Sequence, residues 1–380
     1  MGGGELPVGG LCAGYEGLGK LFECSPIFDA AFYRRTYADA AHLSDADARA
    51  HWATKGFGAG RRAHAGPRIT KVVLMTKDEF PLVRAWVLHH AHIFGPRNVY
   101  VIDSSAAGGP AALFLADAAR AGVNVFQTQL NLNDLRAAIN GLFRALAPTA
   151  DFLIKLDTDE LLLRSDGTTM HTTGLIEYLD EYPVTGALLK VAGGGENYPP
   201  EDCAAGGGNV VVASRRFHLV SAHPDMGRKF FAAPSYSDVD LGAHAGRVLP
   251  PFDALPSVFV TNLSYAHFHS ACFDNVVENS LRALVSHGYV DLADSKSVMR
   301  EKLAQRVATS NFPHGSIHKG VAYLAFLNDE AGERAKYEAY AREGRSAGTF
   351  IPAIAALAEC LSAAFDARTP GYNMAATGCV

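Results

Sequence analysis

The 380-residue chain is poor in several things, and each shortage narrows its chemistry. Cysteine occurs six times, at Cys12, Cys24, Cys203, Cys272, Cys360 and Cys379, with no C-x-x-C spacing. The lack of that spacing argues against a zinc site. A chain this long has no need of a disulfide framework, so reduced thiols and a cytoplasmic setting are expected. Clusters of positive charge are missing too. Net charge is −5, and Arg61-Arg62 and Arg215-Arg216 are isolated pairs, so no nucleic-acid partner is expected. No apolar run reaches the length of a membrane span, so no transmembrane segment is expected. Met1 to Glu5 shows no basic stretch leading into an apolar one, so no signal peptide is expected. The phosphate-binding patterns Gly-x-x-x-x-Gly-Lys and Gly-x-Gly-x-x-Gly are absent from the first strand-to-helix turn. Any grip on a phosphate must therefore come from a metal or from basic side chains.

What is present begins with enough apolar residues, 48%, to build a sizeable core. Residues 1–25 are Gly-rich and read as a flexible lead. Residues 26–66 form a small helical module with Phe28, Phe32, Tyr33 and Tyr37 at near-helical spacing. Ser44 to Asp47 reads as a helix start that runs through His51-Trp52 to a Gly-rich stop at Gly56 to Gly60. These aromatics are expected to pack rather than react. Ala65 to Pro67 reads as a linker.

From Ile69 strands and helices alternate. Strands are expected at Thr70 to Thr76, Asn98 to Asp103, Val123 to Gln127 and Phe152 to Asp157. Helices are expected at Phe80 to Phe94, Ala111 to Ala121 and Asp134 to Leu146. This alternation predicts an α/β fold with a mostly parallel, Rossmann-like sheet flanked by helices. Later strands fall near Ala187 to Val191, Val210 to Val212, Tyr236 to Leu241 and Val258 to Tyr265, and a Gly/Pro-rich loop at Gly193 to Gly208. C-terminal helices are expected at Phe273 to His287, Ser295 to Ala308 and Gly320 to Glu343. Ile351 to Phe365 is a further candidate. Residues 67–290 then form the main domain, and 291–380 a helical region and tail.

The chemistry concentrates in Phe152-Leu-Ile-Lys-Leu-Asp157-Thr-Asp159-Glu160. A short apolar run ending in three carboxylates reads as a buried strand with its charge at the sheet rim. In open α/β sheets ligands bind at that rim. Crowded carboxylates repel unless a proton or cation lies between them, and Asp-x-Asp spacing suits Mg²⁺ or Mn²⁺. Other groups should reach the same rim. Lys77, Asp78 and Glu79 follow the first strand, and Asp103 ends the second. Asn133, Arg136 and Asn140 share one helix face. His267 and His269 point to one side of a strand end, and His244 sits in Gly-Ala-His-Ala-Gly; neutral imidazole can complete a carboxylate–metal site. Lys229 supplies a cation for a diphosphate leaving group.

Together, Lys77-Asp78-Glu79, Trp86, His89, Asp103 and Asp157-x-Asp159-Glu160 resemble the glycosyltransferase family 2 and family 92-like proteins of the GT-A fold. Arg216-Phe217, Lys229, His244 and His267 to Ser270 resemble that family's downstream positions more weakly. The likeness covers about residues 69 to 290. The helical module, through Phe28, Asp29, Phe32, Tyr33, His51, Trp52, Gly56, Gly60 and Arg61, resembles one found beside bacterial sugar transferases. The resemblance implies metal-dependent transfer of a sugar from a nucleotide-sugar donor, a UDP- or GDP-sugar, to a hydroxyl on a glycan or glycoconjugate acceptor, with inversion. Lys77, Asp78, Glu79, Asp103, Asn133, Arg136, Glu160 and Lys229 would contact the donor. Asp157 and Asp159, with His244 or His267, would hold Mn²⁺ or Mg²⁺. Glu196 is the first candidate for the catalytic base and Asp225 the second. Two departures matter: Ser104-Ser105 replaces the usual Asn-Gly after the strand-two acid, and Gly193 to Gly208 does not match the usual acceptor segment. A catalytically silent nucleotide-sugar or glycan-binding module is the competing expectation, and a nucleotidyltransferase the third.

Overall fold

The computed structural model describes residues 28–56, 59–129, 132–166, 170–182, 188–200, 216–220, 230–232, 236–239, 242, 246–248, 257–269, 271–313 and 317–350. Helices α1 (Ala30–Thr36) and α2 (Asp45–His51) come first, and α2 runs on as a π-helical turn over Trp52–Gly56. Next, β1 (Thr70–Thr76), α3 (Leu82–Phe94), β2 (Val99–Asp103), α4 (Pro110–Arg120), β3 (Asn124–Gln127), α5 (Leu132–Leu146) and β4 (Phe152–Leu156) alternate. Then come β5 (Glu160–Ser165), β6 (Met170–His171), α6 (Leu175–Glu181), β7 (Leu188–Asn197), β8 (Arg216–Val220), β9 (Phe230–Ala232), β10 (Tyr236–Val239), β11 (Gly246–Val248) and β12 (Ser257–His267). Helices α7 (Phe273–Ser286), α8 (Lys296–Ala308), α9 (Ile317–Asn328) and α10 (Glu330–Ala347) precede β13 (Thr349–Phe350).

Contacts group the chain into two units, one of residues 1–195, 219–267 and 356–380, the other of 196–218 and 268–355. The first unit carries the main sheet, in the order β3-β2-β1-β4-β9-β7-β12-β5-β6. The expected α/β class is borne out. β3, β2, β1 and β4 are parallel neighbours, and β9 and β5 bring in antiparallel pairings. β1 and β4 are buried nearly throughout, as expected of strands covered on both faces. On one face α5 packs Leu135, Ile139, Leu142 and Phe143 against Val73, Ile102 and Leu153.

The aromatics of the helical module pack, as their spacing predicts. Tyr33 is fully buried, with the Phe28 ring 5.4 Å away, and Trp52 lies 5.4 Å from Phe28. Asp29 caps α1 and Ser44 caps α2 through their side chains. A Cβ on Gly56 would lie 2.1 Å from the Tyr33 hydroxyl, so only glycine lets the π-helical turn approach that ring. The segment read as a linker is pinned. Asp180 accepts from Arg62 Nη2 and from the Arg68 N–H, each at 2.8 Å. Asp151 accepts from the Ile69 N–H at 2.8 Å and lies 3.0 Å from His64 Nε2.

In the second unit, Leu284, Tyr289, Leu303, Phe312 and Tyr323 form the core, and β13 pairs with β8 at Thr349↔Phe217. The single long helix expected over Gly320 to Glu343 is two. Asp329 breaks it, because its side chain accepts the Gly332 N–H at 2.9 Å and starts α10 afresh. The loop expected from Gly193 begins later, since β7 continues to Asn197. β5 was not expected as a strand; it forms because β12 pairs along its length, from Leu263↔Arg164 to His267↔Glu160.

One expectation about cysteine is corrected. Cys272, the residue before α7, is disulfide-bonded rather than reduced. The cytoplasmic setting drawn from reduced thiols loses that support. No described helix is long and apolar enough to cross a membrane. Residues 1–27 and 351–380, including the candidate helix at Ile351 to Phe365, lie outside the described residues, as does the expected strand at Val210 to Val212.

Candidate functional site at the carboxyl ends of the parallel strands

β1, β2 and β4 end side by side, with Thr76 paired to Asp103 and Leu74 to Leu156. The parallel register therefore brings the residues after each strand to one rim. The turn after β4 is built by its own acids. Glu160, 2% exposed, accepts the Asp157 N–H on Oε2 at 2.7 Å, and the Glu160 N–H returns a bond of 3.0 Å to the Asp157 carbonyl. This reciprocal pair closes Asp157 to Glu160 into a tight turn. Asp157 and Asp159 are left partly exposed.

Two neighbours reach the turn. Lys155, fully buried in β4, sets its Nζ on Asp157 Oδ1. From β12, whose last residue His267 lies opposite Glu160, the imidazole Nε2 comes to 3.4 Å from Asp159 Oδ2. His269 follows two residues along the same backbone. Carboxylate oxygen with imidazole nitrogen suits Mn²⁺ better than Mg²⁺, which favours an all-oxygen octahedron. The residues present thus fit a divalent transition ion.

Glu79 lies under this turn, accepting from Thr158 Oγ1 and, at 3.1 Å, from Thr76 Oγ1. Burial raises its proton affinity, and the charges of Asp159 and Asp157 raise it further, against the two hydroxyl hydrogen bonds. The carboxylates at this rim feel one another.

The neighbouring turn is held by Asp78, which adopts φ +54°, a left-handed conformation that few non-glycine residues take. Its N–H donates to Ser105 Oγ at 2.8 Å, and its Oδ1 accepts the Ala106 N–H at 2.9 Å. Asp78 thus ties the turn after β1 to the turn after β2. Asp103, 1% exposed, accepts the Ser105 N–H on Oδ1 at 2.9 Å. Its Oδ2 and the Ser104 hydroxyl are buried without a hydrogen-bond partner, which is unusual for polar atoms in a folded interior.

The remaining residues sort as follows. Lys77 and Arg136 are exposed. Asn140 turns inward, bonding the Val239 N–H at 2.7 Å and the Val239 carbonyl at 3.0 Å, so it pins β10 and does not share an outer face with Arg136. Glu196 is exposed and belongs to the second unit. Asp225, Lys229, His244 and the side chain of Asn133 lie outside the described residues. Sequence reasoning passed over Lys155. A lone charge inside an apolar strand, two residues before an acid and so on its face, was the available signal. His89 and His90 serve the frame: His89 Nε2 donates to the Leu162 carbonyl at 2.8 Å, and His90 Nε2 accepts the Leu162 N–H at 3.2 Å.

No family model and no curated protein matches the chain. Solved structures with some likeness include TarS 1–349 of S. aureus, 10% identical over 73% of this chain and 91% of that one, with a TM-score of 0.32. Another is the mannosyltransferase PcManGT from Pyrobaculum calidifontis in complex with GDP-Man and Mn²⁺, 15% identical over 83% and 87%, TM-score 0.30. A third is mannosyl-3-phosphoglycerate synthase from Rubrobacter xylanophilus, 17% identical over 60% and 77%, TM-score 0.27. At such scores the likeness carries no argument about activity, which rests on the chain's own geometry.

Proposed function

We propose that the chain is a metal-dependent glycosyltransferase of GT-A type. It would move a sugar from a nucleotide-sugar donor to an acceptor hydroxyl with inversion. The carrying observation is the approach of His267 to Asp159 at the rim where the Asp157–Glu160 turn already crowds carboxylates. Such a cluster favours a cation, and a cation there can accept diphosphate oxygens.

In this reading Asp157 and Asp159, with His267, would hold Mn²⁺, which would neutralise charge on the leaving diphosphate. Glu160 keeps the turn in shape. Asp103 accepts a hydrogen bond from the nucleoside, and Asp78 with Glu79 fixes the walls around it. Lys77, Asn133, Arg136 and Lys229 are candidates for contact with the donor, and His244 for a further ligand. An inverting reaction needs a carboxylate to take the acceptor proton; Glu196 is proposed for this role, with Asp225 second. UDP- and GDP-sugars are the donors proposed, and a glycan or glycoconjugate the acceptor.

A thermal-shift panel of UDP-, GDP-, TDP- and CMP-sugars with and without Mn²⁺ tests the reading. A matching donor at a hundredfold excess over its dissociation constant stabilises by about 2.7 kcal/mol. Asp159→Ala is expected to abolish both the Mn²⁺-dependent shift and donor hydrolysis. Wild-type turnover in that variant would sink the metal assignment. Donor binding with no transfer or hydrolysis would favour the silent binding module.

A further inference from the structure

A lysine inside a central strand is costly. Lys155 is fully buried, and β4 is paired on both sides, with β1 and with β9. Alternation along the strand puts residues 153, 155 and 157 on one face. Leu153 on that face belongs to the core under α5, so the lysine stem replaces what packing alone would fill with leucine or valine. Removing an ammonium from water costs several kcal/mol unless it is paired. Its partner is Asp157 Oδ1.

The setting supplies a reason for keeping it. Asp157, Asp159, Glu160 and Glu79 gather at one turn, and the first two raise the proton affinity of Glu79. A site that binds and releases a divalent ion leaves these carboxylates facing one another whenever the ion departs. We infer that Lys155 is a built-in counter-ion for the donor site: its ammonium sits on Asp157 Oδ1 and holds the turn in shape between occupancies. This rests on the donor-site reading above. Lys155 touches no substrate in this role; it positions Asp157.

The consequence is an antagonism. Lys155 and the cation neutralise the same carboxylate, so each lowers the need for the other. Removing the ammonium should make the metal-free protein less stable and its affinity for metal greater.

Thermal-shift titration with Mn²⁺ alone tests this. Lys155→Met, of similar length without charge, is expected to melt below wild type without metal, to gain more from Mn²⁺, and to reach its midpoint at a metal concentration at least tenfold lower. Lys155→Arg, which retains the cation, should keep a midpoint close to wild type. Asp157→Asn added to Lys155→Met should erase the gain. A wild-type response to Mn²⁺ with no sharper response in Lys155→Met overturns the counter-ion role and leaves the donor site standing. No wild-type response removes the donor-site reading and this inference with it. Should Lys155→Met fail to fold, Lys155→Gln carries the same expectation, and a wild-type midpoint in that variant overturns the inference.

Discussion

At the scale of single residues, the rim divides into side chains that shape it and side chains with capacity left over. Asp78 and Glu160 spend hydrogen-bonding oxygens on backbone N–H groups, Asp78 on the turn after β2 and Glu160 on its own turn. Asp103 is different, since one buried oxygen has no partner. Asp103→Asn keeps an acceptor for the Ser105 N–H but replaces the second oxygen with a donor. Under the proposed function, donor affinity should fall tenfold or more, in line with about 1–3 kcal/mol for a mispaired buried polar group. Calorimetric titration of the best donor from the panel checks it. Unchanged affinity would take Asp103 out of the nucleoside site. The roles of Asp78, Glu160 and Asp103 could not be separated from sequence. All three were legible as acids after strands, yet which oxygens are used depends on the turns that face them.

At the scale of elements, the junction between α3 and β5 is the most informative. β5 pairs with β12 on one side, while β6 covers only Arg164 and Ser165 on the other. The Leu162 N–H and carbonyl would be left unbonded there. His89 and His90 supply what a missing strand would have given. His90 donates through Nδ1 to the Trp86 carbonyl at 2.9 Å, which leaves its Nε2 to accept. Both rings must be neutral. Burial pushes His89 down to about 4, its bond to the Leu162 carbonyl opposing, and burial holds His90 well below the usual imidazole value. Folded values below the unfolded value of about 6.5 mean that the unfolded chain takes up more protons in acid. Stability from His89 is therefore fully present above pH ~6.5 and is lost as pH falls toward 4, by roughly 3 kcal/mol in all. Urea midpoints from pH 7.5 to 4.5 should fall accordingly, and His89→Gln, a neutral donor, should flatten the slope. An unchanged slope in that variant would place the acid sensitivity elsewhere. Helical periodicity marked His89 and His90 on one helix, but not what they bond, because β5 is fixed by distant β12.

At the scale of the whole molecule, the Cys272 bond is the main departure from expectation. Six cysteines spaced far apart gave no local sign of pairing, since which thiols meet depends on chain segments brought together only by folding. In denaturant without reductant, the oxidised chain should titrate at most four of its six thiols, because one bond removes two. Reductant should lower the melting temperature, reflecting a loss of about 2–4 kcal/mol. Six reactive thiols in the purified chain, or a melt indifferent to reductant, would count against the bond.

The sequence alone determined the parallel half of the main sheet. β1, β2, β3 and β4 are short apolar runs between helices, and local periodicity is enough to reveal them. It also placed Asp103 and Asp157-x-Asp159 at strand ends, because a strand's length and direction fix where its last residue falls. Tertiary structure decided the rest: the existence of β5, the arrival of His267 beside Asp159, the inward turn of Asn140 and the pairing of Lys155 with Asp157. Three of these join residues distant in sequence. The fourth, though only two residues long, has its meaning set by the burial around it. Local pattern encodes which face a side chain takes, and only the folded chain supplies what stands opposite it.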